Sequence, residues 1–339
     1  MQTVLITGGA GYIGSHITVE LLNSGYQVII VDNLSNSKQQ VISRIQQITG
    51  KKPIFYKQDI LNKDALNKIF QENKIDAVIH CAGLKSVAES VKEPLKYYKI
   101  NIGTTLTLLE IMQKNNVKNL VFSSSATVYG NPKSVPITES QPIGVNLSNP
   151  YGYTKYMIEQ ILSDTVNTNN NWQITSLRYF NPIGAHSSGL IGEDPKGIPN
   201  NLLPYISQVA VGKLPELMVF GNTYPTKDGT GVRDYIHVVD VAKAHVSALA
   251  HPTTGNKYRA LNLGTGSGTS VLELINAFVK ANNVKIPFKI VPKRPGDIAQ
   301  CYANPSKANK ELNWHTTRTI GNACKDAYNW QTKNPKGYN

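Results

Sequence analysis

Tyr151 and Lys155 stand four residues apart in SNPYGYTK, residues 148–155, a spacing that puts both side chains on one face of a helix. The helix is expected here: Ser148 or Asn149 can cap it, Pro150 presets φ near its first position, and YMIEQIL carries the apolar spacing onward. A phenol ordinarily holds its proton until about pH 10 and is a poor base unless positive charge stabilises the phenolate. Lys155 offers one such charge, and the early helix position adds a fraction. Lowering the phenol by roughly three units takes ~4 kcal/mol, within reach of two cations in a water-poor cleft. The phenolate then takes a proton from an alcohol. A second Tyr-x-x-x-Lys, Tyr129 with Lys133, contains Pro132 and is expected in a loop.

The elements that must carry this pair are legible. TVLIT, QVIIVD, PIFYKQD, DAVIH and NLVFSS alternate with amphipathic stretches, which predicts an α/β fold with a Rossmann-type doubly wound parallel sheet. Ser123-Ser124-Ser125 end the fifth strand at the carboxyl edge, where ligands bind; one of these hydroxyls can orient a substrate oxygen. Beyond residue 180 the texture turns to Gly-, Pro- and Asn-rich connections. The division expected is 1–180 for the sheet domain and 181–339 mainly for a smaller mixed α/β substrate domain, with some chain crossing back.

Gly8, Gly11 and Gly14 in TGGAGYIG follow the first strand and open a helix. Glycines there permit a tight turn and close approach of a pyrophosphate to the helix N-terminus. Asp32 ends the second strand about twenty residues on, placed to accept from ribose hydroxyls and to repel a 2'-phosphate, so NAD is favoured over NADP. Its oxidised nicotinamide is the second cation that the phenol needs. LNLGTGSGTSVLEL, with Gly264, Gly266 and Gly268, lacks a following strand ending in an acid and is read as a tight turn.

The remaining features exclude more than they assign. A net charge of +13 comes from lysines scattered singly rather than massed in a stripe, so no nucleic-acid partner is expected. No apolar run approaches a bilayer span and no leader pattern opens the chain; a soluble, cytoplasmic protein without a membrane partner is expected. Cys81, Cys301 and Cys324 are far apart, which argues against a disulfide framework or a zinc site. The seven histidines have no metal-ligand spacing, and no metal is expected.

GGAGYIGSH, VDNLSNS, HCAGLKSV, FSSSATVYG, SNPYGYTK, LRYFNPIGAH, PNNLLPYI, FGNTYPTKDGTGVRDYIHVVDVA and RPGDIAQCYANPSKA together identify a resemblance over nearly the whole chain. It resembles the extended short-chain dehydrogenase/reductases, and within them the NAD-dependent epimerases of the UDP-glucose 4-epimerase branch. The resemblance implies catalytic roles for Ser125, Tyr151 and Lys155. It implies NAD contacts at Gly8, Gly11, Tyr12, Ile13, Gly14, Asp32, Asn33, Asn36, Ser37, Asp59, Ile60, Ala82, Gly83, Lys85, Asn101, Ser125, Tyr151, Lys155 and Phe180. Substrate contacts carry onto Lys85, Ser125, Tyr151, Asn181, Asn200, Leu202, Phe220, Arg233, Arg294, Asp297 and Cys301. Two arginines suit a diphosphate and Asp297 suits a ribose diol; alternatively Arg233 and Asp234 form a surface ion pair.

The activity implied is C4 epimerisation between UDP-galactose and UDP-glucose through a transient 4-keto sugar, in a homodimer. Cys301 stands where many bacterial relatives carry a bulky tyrosine. A thiol leaves room for an acetamido group, so UDP-N-acetylglucosamine and UDP-N-acetylgalactosamine are expected as further substrates. Nucleotide-sugar 4,6-dehydratases place an Asp-Glu pair where this chain has Ala126 and Thr127, which disfavours dehydration. A UDP-glucuronate epimerase or a non-catalytic NAD-binding regulator are the alternatives, and a regulator is expected to lack the tyrosine or lysine that this chain retains.

Overall fold

The β-branched runs TVLIT and QVIIVD become strands β1 (Thr3–Thr7) and β2 (Gln27–Asp32), largely buried as parallel strands between helical layers must be. In the computed structural model, residues 1–168, 171–254, 257–294 and 296–338 are described; Pro295 of the RPGD segment lies outside them. The strands β3 (Ile54–Lys57), β4 (Ala77–His80), β5 (Asn119–Ser125) and β6 (Gln173–Tyr179) follow. Shorter ones come next: β7 (Asn181–Ile183), β8 (Leu217–Phe220), β9 (Val232–Arg233) and β10 (Tyr235–His237). Last are β11 (Lys257–Leu263), β12 (Thr269–Ser270), β13 (Phe288–Val291) and β14 (Gln300–Cys301).

Seven strands form one parallel sheet in the order β11-β6-β5-β4-β1-β2-β3. The order runs outward from β1 in one direction and from β4 in the other, so the crevice beyond their carboxyl ends is the switch point where ligands bind. The doubly wound sheet is therefore as expected. Its far edge strand, β11, comes from the second half of the chain. Three small sheets, β10-β7, β12-β9-β14 and β13-β8, stand above the carboxyl edge in the second half.

Helices α1 (Tyr12–Asn23) and α2 (Gln40–Thr49) bury apolar stripes on one face of the sheet, and α3 (Lys63–Glu72) on the other. The connection from β4 to β5 is broken into α4 (Val87–Lys92), α5 (Pro94–Tyr97), a π-helical turn (Tyr98–Ile102) and α6 (Gly103–Lys114). Then come α7 (Pro150–Val166), α8 (Leu202–Ala210), α9 (Val238–Ala250), α10 (Val271–Asn282), α11 (Ser306–Leu312) and α12 (Ile320–Lys333). α9 and α11 join the α1–α2 side, while α6 and α7 join α3. A separate core packs α8 and α10 against the first half of α12; Trp330, near the other end of α12, belongs to the core around α1. One helix thus fixes the small sheets relative to the crevice.

Candidate active site

Loop residues on each side of the switch point meet at the glycine turn. Gly8 has φ +71°, and a Cβ on it would lie 2.8 Å from the amide nitrogen of Ala82; a Cβ on Gly14 would lie 2.2 Å from the Gly8 carbonyl oxygen. Both positions demand glycine for space, and Gly8 for its backbone as well. Gly11 caps α1 without a side chain of its own, so no side-chain oxygen covers the first amides, those of the turn bearing Tyr12 and Ile13. This cradle fits a dinucleotide pyrophosphate.

Asp32 is fixed beside it: one carboxylate oxygen accepts from the Ala10 amide at 3.0 Å, the other from the Leu34 amide and the Ser37 hydroxyl, each at 2.9 Å. A carboxylate has about four acceptor sites, which leaves capacity for a ribose hydroxyl. Asn33 donates to Asp59 at 2.9 Å, joining the ends of β2 and β3; Asn36 is exposed on the same loop and Ile60 is buried beneath it. After β4, Ala82, Gly83 and Lys85 form the opposite wall. Asn101 accepts from the Leu84 amide (2.7 Å) and donates to the Leu84 carbonyl and to Thr154 of α7 (both 3.1 Å), tying that wall to the helix that carries Tyr151. The residues present fit NAD.

Asn149 caps α7 through the Gly152 amide at 2.8 Å, with Pro150 in the first turn, so Tyr151 and Lys155 share the expected face. The three strand-end serines divide the labour. The Ser123 carbonyl takes a hydrogen bond from Lys155 Nζ at 2.6 Å; the Ser124 hydroxyl donates to Glu159; Ser125 stands beside the Tyr151 phenol and accepts from the Thr127 amide and hydroxyl.

The protein supplies only part of the electrostatics that the phenol needs. Burial raises its pKa, and only the Ser125 hydroxyl opposes that rise. Lys155 Nζ is 5.9 Å from the Tyr151 ring centre and 4.7 Å from that of Phe122, and its own pKa is pushed down to about 8 by burial, with Cys81 and Glu159 acting against that drop. The protein groups alone therefore favour the neutral phenol.

Sequence reasoning missed the network under this pair. Glu159, one turn beyond Lys155, makes a buried bidentate pair with Arg178 of β6 (2.6–3.2 Å). Arg178 also donates to the Tyr129 hydroxyl at 2.7 Å, which donates to Asn262 of β11 at 2.7 Å. The second Tyr-x-x-x-Lys, expected in a loop, is divided: Tyr129 ends a 3-10 turn (Ala126–Tyr129) and is buried in this network, while Lys133 is exposed in the loop beyond. A stripe of Tyr151, Lys155 and Glu159 on one helical face was the available signal.

Across the crevice, Arg233 pairs with Asp297 (3.0 Å), and the Arg294 guanidinium stacks 3.8 Å from the Phe220 ring centre. Pairing of β9 with β14 sets Cys301 beside Arg233, and the partly buried thiol packs against the cluster that contains Phe180 and Ala303. Burial pushes its pKa up to about 11, so it is a neutral thiol. Asn181 opens β7, Asn200 is exposed before the α8 cap Asn201, and Leu202 begins that helix.

Asp234 is not the partner of Arg233, so the surface-pair alternative falls. It is fully buried and accepts from the Thr265 amide and hydroxyl (2.7 Å each) and from the Gly266 and Ala303 amides (3.1 Å each). A Cβ on Gly264 would lie 2.4 Å from its carboxylate. The second glycine-rich stretch is a tight turn, as expected, and the anion it wraps is the chain's own.

Among the described residues no group of three His, Cys, Asp or Glu could hold a metal ion, the three cysteines are free thiols, and no helix is long and apolar enough to cross a membrane. The model of the NAD dependent epimerase/dehydratase family matches residues 4–264. The chain is 57% identical over 337 residues to UDP-glucose 4-epimerase of Bacillus subtilis and 58% identical over 337 residues to that of Pasteurella multocida, covering 99% of each chain in both cases. It also superimposes with a TM-score of 0.96, at 55% identity, on the crystal structure of UDP-glucose 4-epimerase from Bifidobacterium longum in complex with NAD+ and UDP, over 99% of this chain and 100% of that one. The chain belongs to the NAD dependent epimerase/dehydratase family.

Proposed function

We propose that the chain interconverts UDP-galactose and UDP-glucose by inverting C4 of the hexose, with residues 1–180 holding NAD and 181–339 mainly holding the UDP-sugar. The observation that carries this reading is the cluster of Ser125, Tyr151 and Lys155 at the carboxyl edge beside the glycine turn and Asp32. When bound, NAD supplies the hydride acceptor and donor for C4 and a fixed positive charge beside the phenol. Tyr151 takes the proton of the C4 hydroxyl, directly or through Ser125, and C4 becomes a ketone. Lys155, held by the Ser123 carbonyl, contributes its charge from behind the ring. Tyr151 returns the same proton when the ketone is reduced on its other face, so the reaction is redox-neutral.

Turning the ketone requires a firm grip on UDP and a loose one on the hexose. Arg233, Arg294 and Asp297 supply the grip through charge-assisted hydrogen bonds to diphosphate and ribose. Cys301, a small neutral side chain on β14, leaves space beside the sugar and favours turnover of UDP-N-acetylhexosamines as well. A homodimer fits the outer side of α4–α7, where Val87 and Val91 of α4 and Leu95 of α5 are 44%, 59% and 82% exposed and Leu106 of α6 and Met157 of α7 are exposed as well; a second copy is the occupant we assign. Three free thiols suit a cytosolic location.

The test is turnover of UDP-galactose by purified protein with no nucleotide added, followed by coupled oxidation of UDP-glucose. Wild type should turn over, and Tyr151→Phe should lose a factor on the order of 10² to 10⁴. A wild type inactive even with added NAD refutes the reading.

A further inference from the structure

Glu193 and Lys196 belong to none of the groups assigned so far, yet each reaches a loop of the cofactor crevice. Lys85 Nζ, after β4, donates to the Glu193 carboxylate at 2.8 Å. Lys196 Nζ donates to the carbonyl of Ser35, after β2. Because the sheet order is β4-β1-β2, these two clips lie on opposite sides of the glycine turn that follows β1. Two strand spacings amount to about 10 Å, and the three residue steps from 193 to 196 reach about 10 Å when extended. The segment therefore has the length to cross the turn from wall to wall. Its proximity to the start of α1 has independent support: the Glu193 charge is among the causes that raise the Tyr12 phenol, after burial.

The segment is rooted on its far side. Trp330 Nε1 donates to the Glu193 carbonyl at 3.0 Å, the Tyr338 amide to Asp194 at 3.1 Å, and Asn201 to the Glu193 carboxylate at 2.8 Å. Its clips to the crevice are different in kind: Lys85 has half of its side-chain surface in solvent and Lys196 is exposed. The Glu193 side chain is only 10% exposed and belongs to the firm base, so the points that can open are the two solvent-facing lysine ammoniums. An ammonium has three protons to give, so Lys85 can keep Glu193 while it serves a ligand.

We propose that residues 193–196 form a strap across the NAD crevice, with Glu193 and Lys196 as its two clips, and that the strap slows release of the cofactor. This rests on the reading that the crevice holds NAD. A redox-neutral cycle leaves the cofactor as it found it, so retention costs nothing in turnover and spares rebinding.

The experiment measures the rate at which bound NAD leaves the purified holoenzyme, by dilution into excess NAD-consuming enzyme with quantification of protein-bound nucleotide, for wild type, Lys196→Ala and Glu193→Gln/Lys196→Ala. We expect release at least fivefold faster in the double variant and intermediate in Lys196→Ala, with initial kcat of the loaded enzyme unchanged. Raising salt from 20 mM to 500 mM should speed release from wild type by a larger factor than from the double variant. Release rates within twofold of each other, from proteins that all carry full cofactor, overturn the strap. A wild type that neither carries nor takes up NAD overturns instead the reading on which it rests. Lys196→Ala changes an exposed side chain, so an unfolded double variant still leaves the single one as a test.

Discussion

His245→Gln should make the protein less stable at pH 8 but progressively less so as the solution is acidified. In the fold the His245 imidazole is fully buried on α9, sharing one nitrogen with the Val241 carbonyl (2.9 Å) and the other with the Tyr179 hydroxyl (2.5 Å). Burial lowers its pKa from 6.5 to about 4. The unfolded chain therefore binds more protons than the folded one between about pH 4 and 6.5, and stability is full above 6.5 and falls as pH drops through that window. Integrated to pH 5, one such imidazole costs the folded state about 2 kcal/mol. His16 and His80, each lowered to about 3 by burial, add similar amounts, so the three together remove about 6 kcal/mol by pH 5. Replacing His245 removes one share. At pH 8 the variant should lose roughly 1–3 kcal/mol through its hydrogen bonds, and that deficit should shrink by about 2 kcal/mol at pH 5. Urea unfolding of both proteins at pH 8, 6.5 and 5 reads the gap, compared at equal m values. A gap that is constant with pH, or that widens on acidification, refutes the claim that the imidazole is held neutral.

Two further outcomes follow from the site and the surface. Cys301→Tyr should cut the ratio of kcat/KM for UDP-N-acetylglucosamine over UDP-glucose by about 100-fold, equivalent to ~2.7 kcal/mol, while UDP-galactose turnover stays within a few-fold; wild type inactive on the acetylated sugar would sink the role given to the thiol. Leu95→Glu, which places a charge on the most exposed residue of the α4–α7 face, should shift the protein from dimer to monomer in sedimentation equilibrium, and a wild type that is monomeric at tens of micromolar contradicts the assignment of a second copy.

Much of this architecture was legible because it is local. The alternation of β-branched runs and amphipathic stretches encodes the sheet, and the Asn149 cap, Pro150 and the four-residue spacing place Tyr151 and Lys155 without any knowledge of the rest. What escaped the sequence is long-range or electrostatic. Arg233 stands next to Asp234 yet pairs with Asp297, 64 residues away, because the β9–β14 pairing turns it there while Asp234 is drawn into the Gly264–Gly266 turn. The Glu159–Arg178 pair joins α7 to β6 and has no sequence signature beyond a third member of the helical stripe. The balance of forces on the phenol is hidden for a related reason. Residue type announces that an ammonium is near, but only the structure reveals that burial raises the phenol and that Lys155 gives a hydrogen bond to the Ser123 carbonyl.

The central claim is that C4 is inverted by removal and return of its own hydrogen, with Tyr151 handling only the hydroxyl proton. Turnover of UDP-galactose bearing deuterium at C4, in ordinary water, tests this most directly by mass and NMR analysis of the UDP-glucose formed. The expected product keeps the deuterium at C4, and the mirror experiment with unlabelled substrate in D2O leaves C4 unlabelled. Loss of the label to water, or entry of solvent deuterium at C4, would mean that the chain inverts the centre by exchanging a proton with solvent, and would contradict the account.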